Sequence, residues 1–403
     1  MKIAFLTSIY PAHADKIYRE NPSLKNKSSA EQMEFIRWNA ALSTTVNRMT
    51  FLKDKGLRIC NFNIGLTNIN LKWAEENNFV YSSKNTVEEI GIEKIKRFNP
   101  DIIFCLSPLI YISNNFIKEL KSKLKKRLKF IAWYGANCGD EDIFSKFDLT
   151  LSNSKHLVNS LKKKSINSDF LQHCFDLDIL KKIVPASTKQ NSISFFGNLN
   201  IDKDFRDRTK MIVDIKSKID CFDIYAETQK PNKYLEFKYE SIKIRHKASK
   251  YLKKIFPEID LKNWQDETLL PGSPWILEKK FTKSILKPLY GKEMLERLAL
   301  YQMTFNKHNN HTGDVACNMR MFEATGMGNL LLTDNKSDIA EYFSPDDEVV
   351  VYNSTHEAID KIKQLLDNPN LARSIAKRGQ LKCHVLHNSK IVNERFYDII
   401  INY

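Results

Sequence analysis

A repeating alternation constrains this chain more than any single motif does. Short apolar runs of strand length, at 3–7, 57–62, 102–106, 130–134, 149–152 and 170–172, alternate with longer helix-period stretches at 30–55, 87–98, 116–127 and 155–164. Asn, Asp, Gly and Ser mark the turns between them. Strands spaced this way bury both faces only as a parallel sheet with helices on either side. The rhythm restarts at 193–196, passes through Gly197 and Asn198, and resumes at 211–219, 222–225, 303–305, 330–333 and 349–352. Two α/β domains, each a doubly wound parallel sheet, are therefore expected.

The chain has 403 residues and 42% hydrophobic content, enough for two cores. The join is expected near residue 187, in the polar stretch 181–191 that holds Pro185. This gives domains 1–186 and 187–380, with 381–403 a helix that packs back on the first domain. Residues 227–290 fit neither period and read as an insertion, helical in part.

Several functional classes are disfavoured at this level. The run at 2–8 is too short for a signal core and no later run has the length to span a bilayer, so a cytoplasmic protein is expected. Seven cysteines are scattered without a Cys-x-x-Cys pair, which argues for buried thiols over disulfides or zinc. A formal charge of +15 attracts polyanions of any kind: nucleic acid, anionic lipid or a phosphorylated substrate. A basic, noncatalytic nucleic-acid-binding protein rests on that charge alone, because no helix-turn-helix, finger or aromatic-basic pattern accompanies it, and no nucleic-acid partner is expected. No Gly-x-Gly-x-x-Gly follows a strand, which disfavours a dinucleotide oxidoreductase. The stretch 116–130 sets Ile117, Leu120, Leu124 and Leu128 on one helical face and lysines on the other. It reads as a core-packed helix or as a peripheral contact with an anionic membrane at its inner face.

The chemistry concentrates in 308–334, which reads as loop, helix N-terminus, short helix, glycine turn and buried strand. Asp314 or Asn318 suits an N-cap, and the free N–H groups of such a helix start suit a diphosphate. Arg320 in the first turn opposes the helix dipole, so a phosphate contact explains it better than helix stability does. Glu323, three residues on, shares its face and can accept both hydroxyls of a ribose, or simply pair with Arg320. Gly326 and Gly328 allow a tight turn into the run 330–332. The pairs His308 with His311 and His384 with His387 lack the further Cys or carboxylate that a metal site needs, and no metal is expected.

The run Asn318-x-Arg-x-Phe-Glu-Ala-x-Gly-x-Gly-Asn-Leu-Leu-Leu-Thr-Asp resembles the donor-site signature of the spore-maturation, CgeB-like branch of GT-B glycosyltransferases. Phe195-Phe196-Gly197-Asn198 with Arg206 and Arg208, Pro288-Leu289-Tyr290-Gly291, and Thr304-Phe305-Asn306-Lys307-His308 fit that family's order. The resemblance covers about 145–385 and implies a GT-B fold: two Rossmann-like domains facing a cleft, an N-terminal acceptor domain and a C-terminal nucleotide-sugar domain. It implies transfer of a sugar from a nucleoside diphosphate, a co-substrate with no further cofactor, to a glycan or lipid-linked saccharide in polysaccharide or glycoconjugate synthesis. Glu323 would hold the ribose, while Arg320, Gly197, Asn198, Arg206, His308, Asp314 and Asn318 would face the nucleotide sugar. Where related enzymes carry Glu-x7-Glu, the position eight before Glu323 is Val315, with Asp314 beside it. A base in the acceptor domain is sought at His13, in the loop after the first strand, then Asp15 and Asp140. A sugar-nucleotide epimerase or polyol-phosphate transferase on the same frame is the enzymatic alternative.

Overall fold

The computed structural model describes the chain except for residues 10, 40–42, 83–85, 107–113, 125–127, 136–140, 200–205, 229–232, 259–278 and 310–312. Twelve strands form two six-stranded sheets among the described residues, and every strand pair in them is parallel. The first sheet holds β1 (Lys2–Thr7), β2 (Arg58–Asn63), β3 (Ile102–Leu106), β4 (Lys129–Trp133), β5 (Leu149–Ser152) and β6 (Ser168–Phe170) in the order β2-β1-β3-β4-β5-β6. The second holds β7 (Gln190–Asn198), β8 (Phe222–Glu227), β9 (Ile285–Leu286), β10 (Tyr301–Asn306), β11 (Leu330–Asp334) and β12 (Val350–Tyr352) in the order β12-β11-β10-β7-β8-β9. In each sheet the order reverses beside the first strand, and such a switch point opens a crevice at the carboxyl ends of the strands.

The alternation along single strands explains why helices flank both faces. In β1, Ile3 and Phe5 enter one core with Val46, Met49 and Leu52 of the helix Ser43–Asp54, while Ala4 and Leu6 enter another with Ile92 and Ile95 of the helix Thr86–Phe98. In β11, Leu331 packs with Phe322 and Met327, and Leu330 and Leu332 pack on the opposite side with Ile362 and Ile375. Side-chain caps fix helix starts: Ser154 accepts from the Leu157 N–H at 3.3 Å, and Asn368 caps a helix that begins with Pro369.

Of two readings held open for 116–130 the core-packed one is observed, and two other sequence expectations change. The apolar face of 116–130 lies in the core: Phe116, Ile117 and Leu120 of the helix Asn114–Lys123 are buried, so that face is not available to a membrane. The segment 227–290 is not wholly an interruption. It carries the helix Lys233–Ile255 and ends in β9, which extends the sheet by pairing with β8. His13 does not sit in a loop but in the first turn of the helix Pro11–Glu20.

The chain crosses between the domains twice, and the two crossings are pinned together. The Phe175 N–H donates to the His387 carbonyl at 2.9 Å and the Ser389 N–H donates to the Phe175 carbonyl at 2.8 Å. Beyond this bridge the helix Ser389–Asn402 docks on the first sheet, its Phe396 ring 4.9 Å from that of Phe104 and 6.4 Å from that of Phe5. The Arg48 guanidinium lies 4.9 Å over Phe396 and donates to Asn393 at 3.1 Å. Among the described residues no helix is long and apolar enough to cross a membrane.

Candidate active site in the interdomain cleft

A cavity of about 370 Å³ opens at the switch point of the second sheet. Phe195, Phe196, Gly197 and Asn198 at the end of β7 form its floor, with Asn306, Lys307 and Asn309 at and after the end of β10. The start of the helix Met319–Gly326 supplies Asn318, Met319 and Arg320, and the helix Arg206–Lys216 supplies Arg208. Gly135 and His173, from the segments after β4 and β6, close it from the other domain.

The helix start is ordered by Asn318, which settles the choice left open between it and Asp314. Asn318 Oδ1 accepts from the Arg320 N–H at 3.0 Å, and its amide donates to Asn306 Oδ1 at 2.7 Å. Asn306 in turn donates to Thr333 at 2.9 Å, tying the cap to the sheet. Asp314 is exposed, and its backbone carbonyl accepts from Ser337.

Three cations surround this helix start. Arg320 donates from Nη1 to Glu323 Oε2 at 2.6 Å and contacts Met294 Sδ at 3.1 Å, and its guanidinium sits 5.6 Å from the Phe196 ring centre. Its Nε is buried and has no hydrogen-bond partner among the described residues. Glu323 is thus in the ion pair that its spacing allowed, and it is not among the cavity's lining residues. Phe196 stacks on Tyr225 at 4.8 Å and 5°, so the Arg320 platform is rigid. Arg208 is buried, and burial holds its pKa down to about 10. Arg206 opens the same helix, and its side chain lies outside the described residues.

Lys307 is held by a buried carboxylate. Asp334 accepts from Lys307 Nζ at 3.0 Å, from the His308 N–H at 2.9 Å and from His308 Nδ1 at 2.7 Å. Burial by itself raises the Asp334 pKa. The hydrogen bonds from the His308 ring and backbone, with the charge of Lys307, together outweigh it and hold the carboxyl well below the usual carboxylate range. His308 is fully buried beneath the cavity, not in its lining, and its Nε2 has no partner among the described residues.

The proposed bases separate. His13 is buried against the opposite domain, its ring stacked on Tyr290 at 5.0 Å and 25°, and it does not line the cavity. Burial and then Lys16 pull its pKa down to about 4. Asp15 is exposed on the same helix, and Asp140 lies outside the described residues. His173, which the sequence reading passed over, does reach the cavity; it leans on Trp133 at 5.1 Å, and burial and then Arg48 lower its pKa to about 4. Its only sequence signal is position, directly after the strand-length run 170–172. Among the described residues no three His, Cys, Asp or Glu side chains come together as a metal site.

The domains meet directly around the cleft. Asn153 Nδ2 donates to the Cys317 carbonyl at 2.5 Å, and Lys16 pairs with Glu293 and Lys155 with Glu341 across the gap.

Comparisons with known proteins agree with this geometry. A family model described as glycosyl transferase-like matches residues 250–396. The structure is similar to a glycosyltransferase from Rickettsia africae ESF-5 at 12% identity and TM-score 0.55, covering 99% of this chain and 97% of that one. It is similar to Anabaena HepE in complex with UDP-glucose at 9% identity and TM-score 0.56, covering 100% of both chains. A third likeness is to an α-glucosyltransferase in complex with UDP-glucose and DNA, at 11% identity and TM-score 0.58 over 99% of each chain. At these identities the likeness is one of fold. No curated protein matches the sequence. Two parallel six-stranded sheets facing a cleft are the GT-B architecture. The family match runs from 250 to 396, across the later strands of the second domain and into the helix Ser389–Asn402, and it makes this part of the chain similar to glycosyl transferase-like proteins.

Proposed function

We propose that this enzyme moves a sugar from a nucleoside diphosphate to a glycan or lipid-linked saccharide, and that its donor diphosphate lies in the cavity at the end of β7. The observation that carries this reading is the convergence of Arg208, Lys307 and Arg320 on a helix N-terminus capped by Asn318. Free N–H groups and three cations in a partly desolvated crevice suit a leaving diphosphate whose charge grows in the transition state. The complex of HepE with UDP-glucose makes a nucleotide sugar a reasonable donor class on this fold.

Glu323 reaches a ribose only after releasing Arg320, so donor binding would exchange one ion pair for two contacts: Arg320 to phosphate and Glu323 to the sugar hydroxyls. With both histidines near pKa 4, neither makes a strong general base, and leaving-group stabilisation by the cations is the larger share of catalysis. The order of motifs supports a place near the CgeB-like branch.

A thermal-shift panel of UDP, GDP, CDP, dTDP and ADP tests the reading. One nucleotide should raise the melting temperature of the wild type in the presence of EDTA, and Arg208→Ala should lose most of that rise. No shift with any nucleotide, or an unchanged shift in Arg208→Ala, would overturn the site.

A further inference from the structure

The helix Lys233–Ile255 carries an apolar stripe on its outside. Phe237 is 75% exposed, Ile244 66%, Tyr251 67% and Ile255 51%. Spaced by seven, seven and four residues at about 100° per residue, they fall within about 40° of one another on the helix surface. Phe256, 57% exposed, extends the stripe beyond its end. Exposed Arg245 and Lys247 flank it on opposite sides, and Lys250 and Lys254 lie behind Lys247. From 241 to 257 the sequence holds six Lys or Arg and no Asp or Glu.

This pattern differs from that of the helix Asn114–Lys123, whose apolar face is spent in the core. Large side chains left in water between cations match an anionic lipid surface, where the stripe enters the acyl boundary and the flanking cations reach the headgroups. A second copy of the chain would oppose six cations with six more. Nucleic acid would use the cations but leave Ile244 and Ile255 in water.

We propose that this face docks the enzyme on an anionic membrane surface. Lys233 follows Glu227 by six positions, and Glu227 accepts a hydrogen bond from Tyr290, whose ring stacks on His13 of the other domain where the two domains meet. The helix therefore starts within about 20 Å of that junction, and docking would hold the junction near the bilayer. A lipid-borne acceptor follows if the sugar-transfer reading holds; the docking itself does not rest on it.

Vesicle cosedimentation of the full chain tests the proposal, with phosphatidylcholine alone and with phosphatidylcholine containing phosphatidylglycerol. The wild type should sediment with the anionic vesicles only and be largely released at high salt. The variant F237S/I244S/Y251S and the variant R245E/K247E/K254E should each bind at least tenfold more weakly. Both replace exposed side chains, so their melting temperatures and nucleotide-induced shifts should match wild type, which separates loss of docking from loss of the donor site. A wild type that stays in solution with anionic vesicles, or variants that bind as it does, would overturn the proposal. So would a dimer that the apolar variant dissociates, or tighter competition by DNA than by anionic lipid.

Discussion

Asp334 does two jobs with one carboxylate: it fixes Lys307 at the cavity edge and it holds the buried His308 ring. Exchanging it for a neutral amide leaves Lys307 without its counter-charge in a site with little water. Asp334→Asn should lower stability by about 2–4 kcal/mol, read from the urea midpoint, and weaken nucleotide binding as well. Loss of binding with no loss of stability would show that the carboxylate serves the ligand alone. Gly326 illustrates a residue fixed by packing: an added Cβ would meet the Phe175 ring at 2.2 Å, so the first glycine of the run Asn318–Asp334 marks where the donor helix touches the domain crossing.

At the scale of elements, most strands were legible because their apolar runs are bounded by turn residues and match the observed β1, β3, β7, β10 and β11 closely. The helix Pro11–Glu20 is hard to read, although Pro11 at its first position is a helix-start signal, because its buried stripe of Ala14, Ile17 and Tyr18 is about one turn long and set among polar and charged residues. The pairing of Lys307 with Asp334 had no local signature. The two are 27 residues apart, and only the β10–β11 register, Asn306 beside Thr333, brings them together. The cap at Asn318 was among the readings because its signal is local. Asn318→Ala should cost about 1 kcal/mol for the lost cap and more for the lost bond to Asn306, while Asn318→Asp should restore only the cap. Equal melting temperatures for the alanine and aspartate variants would contradict this.

For the whole molecule, buried titrating groups set how stability responds to acid. Below pH 6.5 the unfolded chain takes up protons at His13 and His173 that the folded protein refuses until about pH 4, so stability falls through that window. Asp176 acts in the opposite sense: burial raises its pKa to about 6, so the folded protein gains a proton there before the unfolded chain does. His387, also lowered by burial, adds to the histidines, and Asp338, also raised, adds to Asp176. The balance of His13 and His173 against Asp176 is a drop in stability of about 2–3 kcal/mol from pH 7 to pH 5. A urea midpoint that rises over this range would show that the histidines are not held neutral.

The pinned crossing at Phe175 and Asn388 also bears on how the protein is made. The first sheet's core includes Val392, Phe396 and Ile400, which are synthesised only after the entire second sheet. At about 5–20 residues per second, roughly 200 residues put tens of seconds between the first domain's last strand and the helix that completes it. During that interval on the ribosome, Phe5 and Phe104 face a missing partner, so the domain begun first is the one finished last.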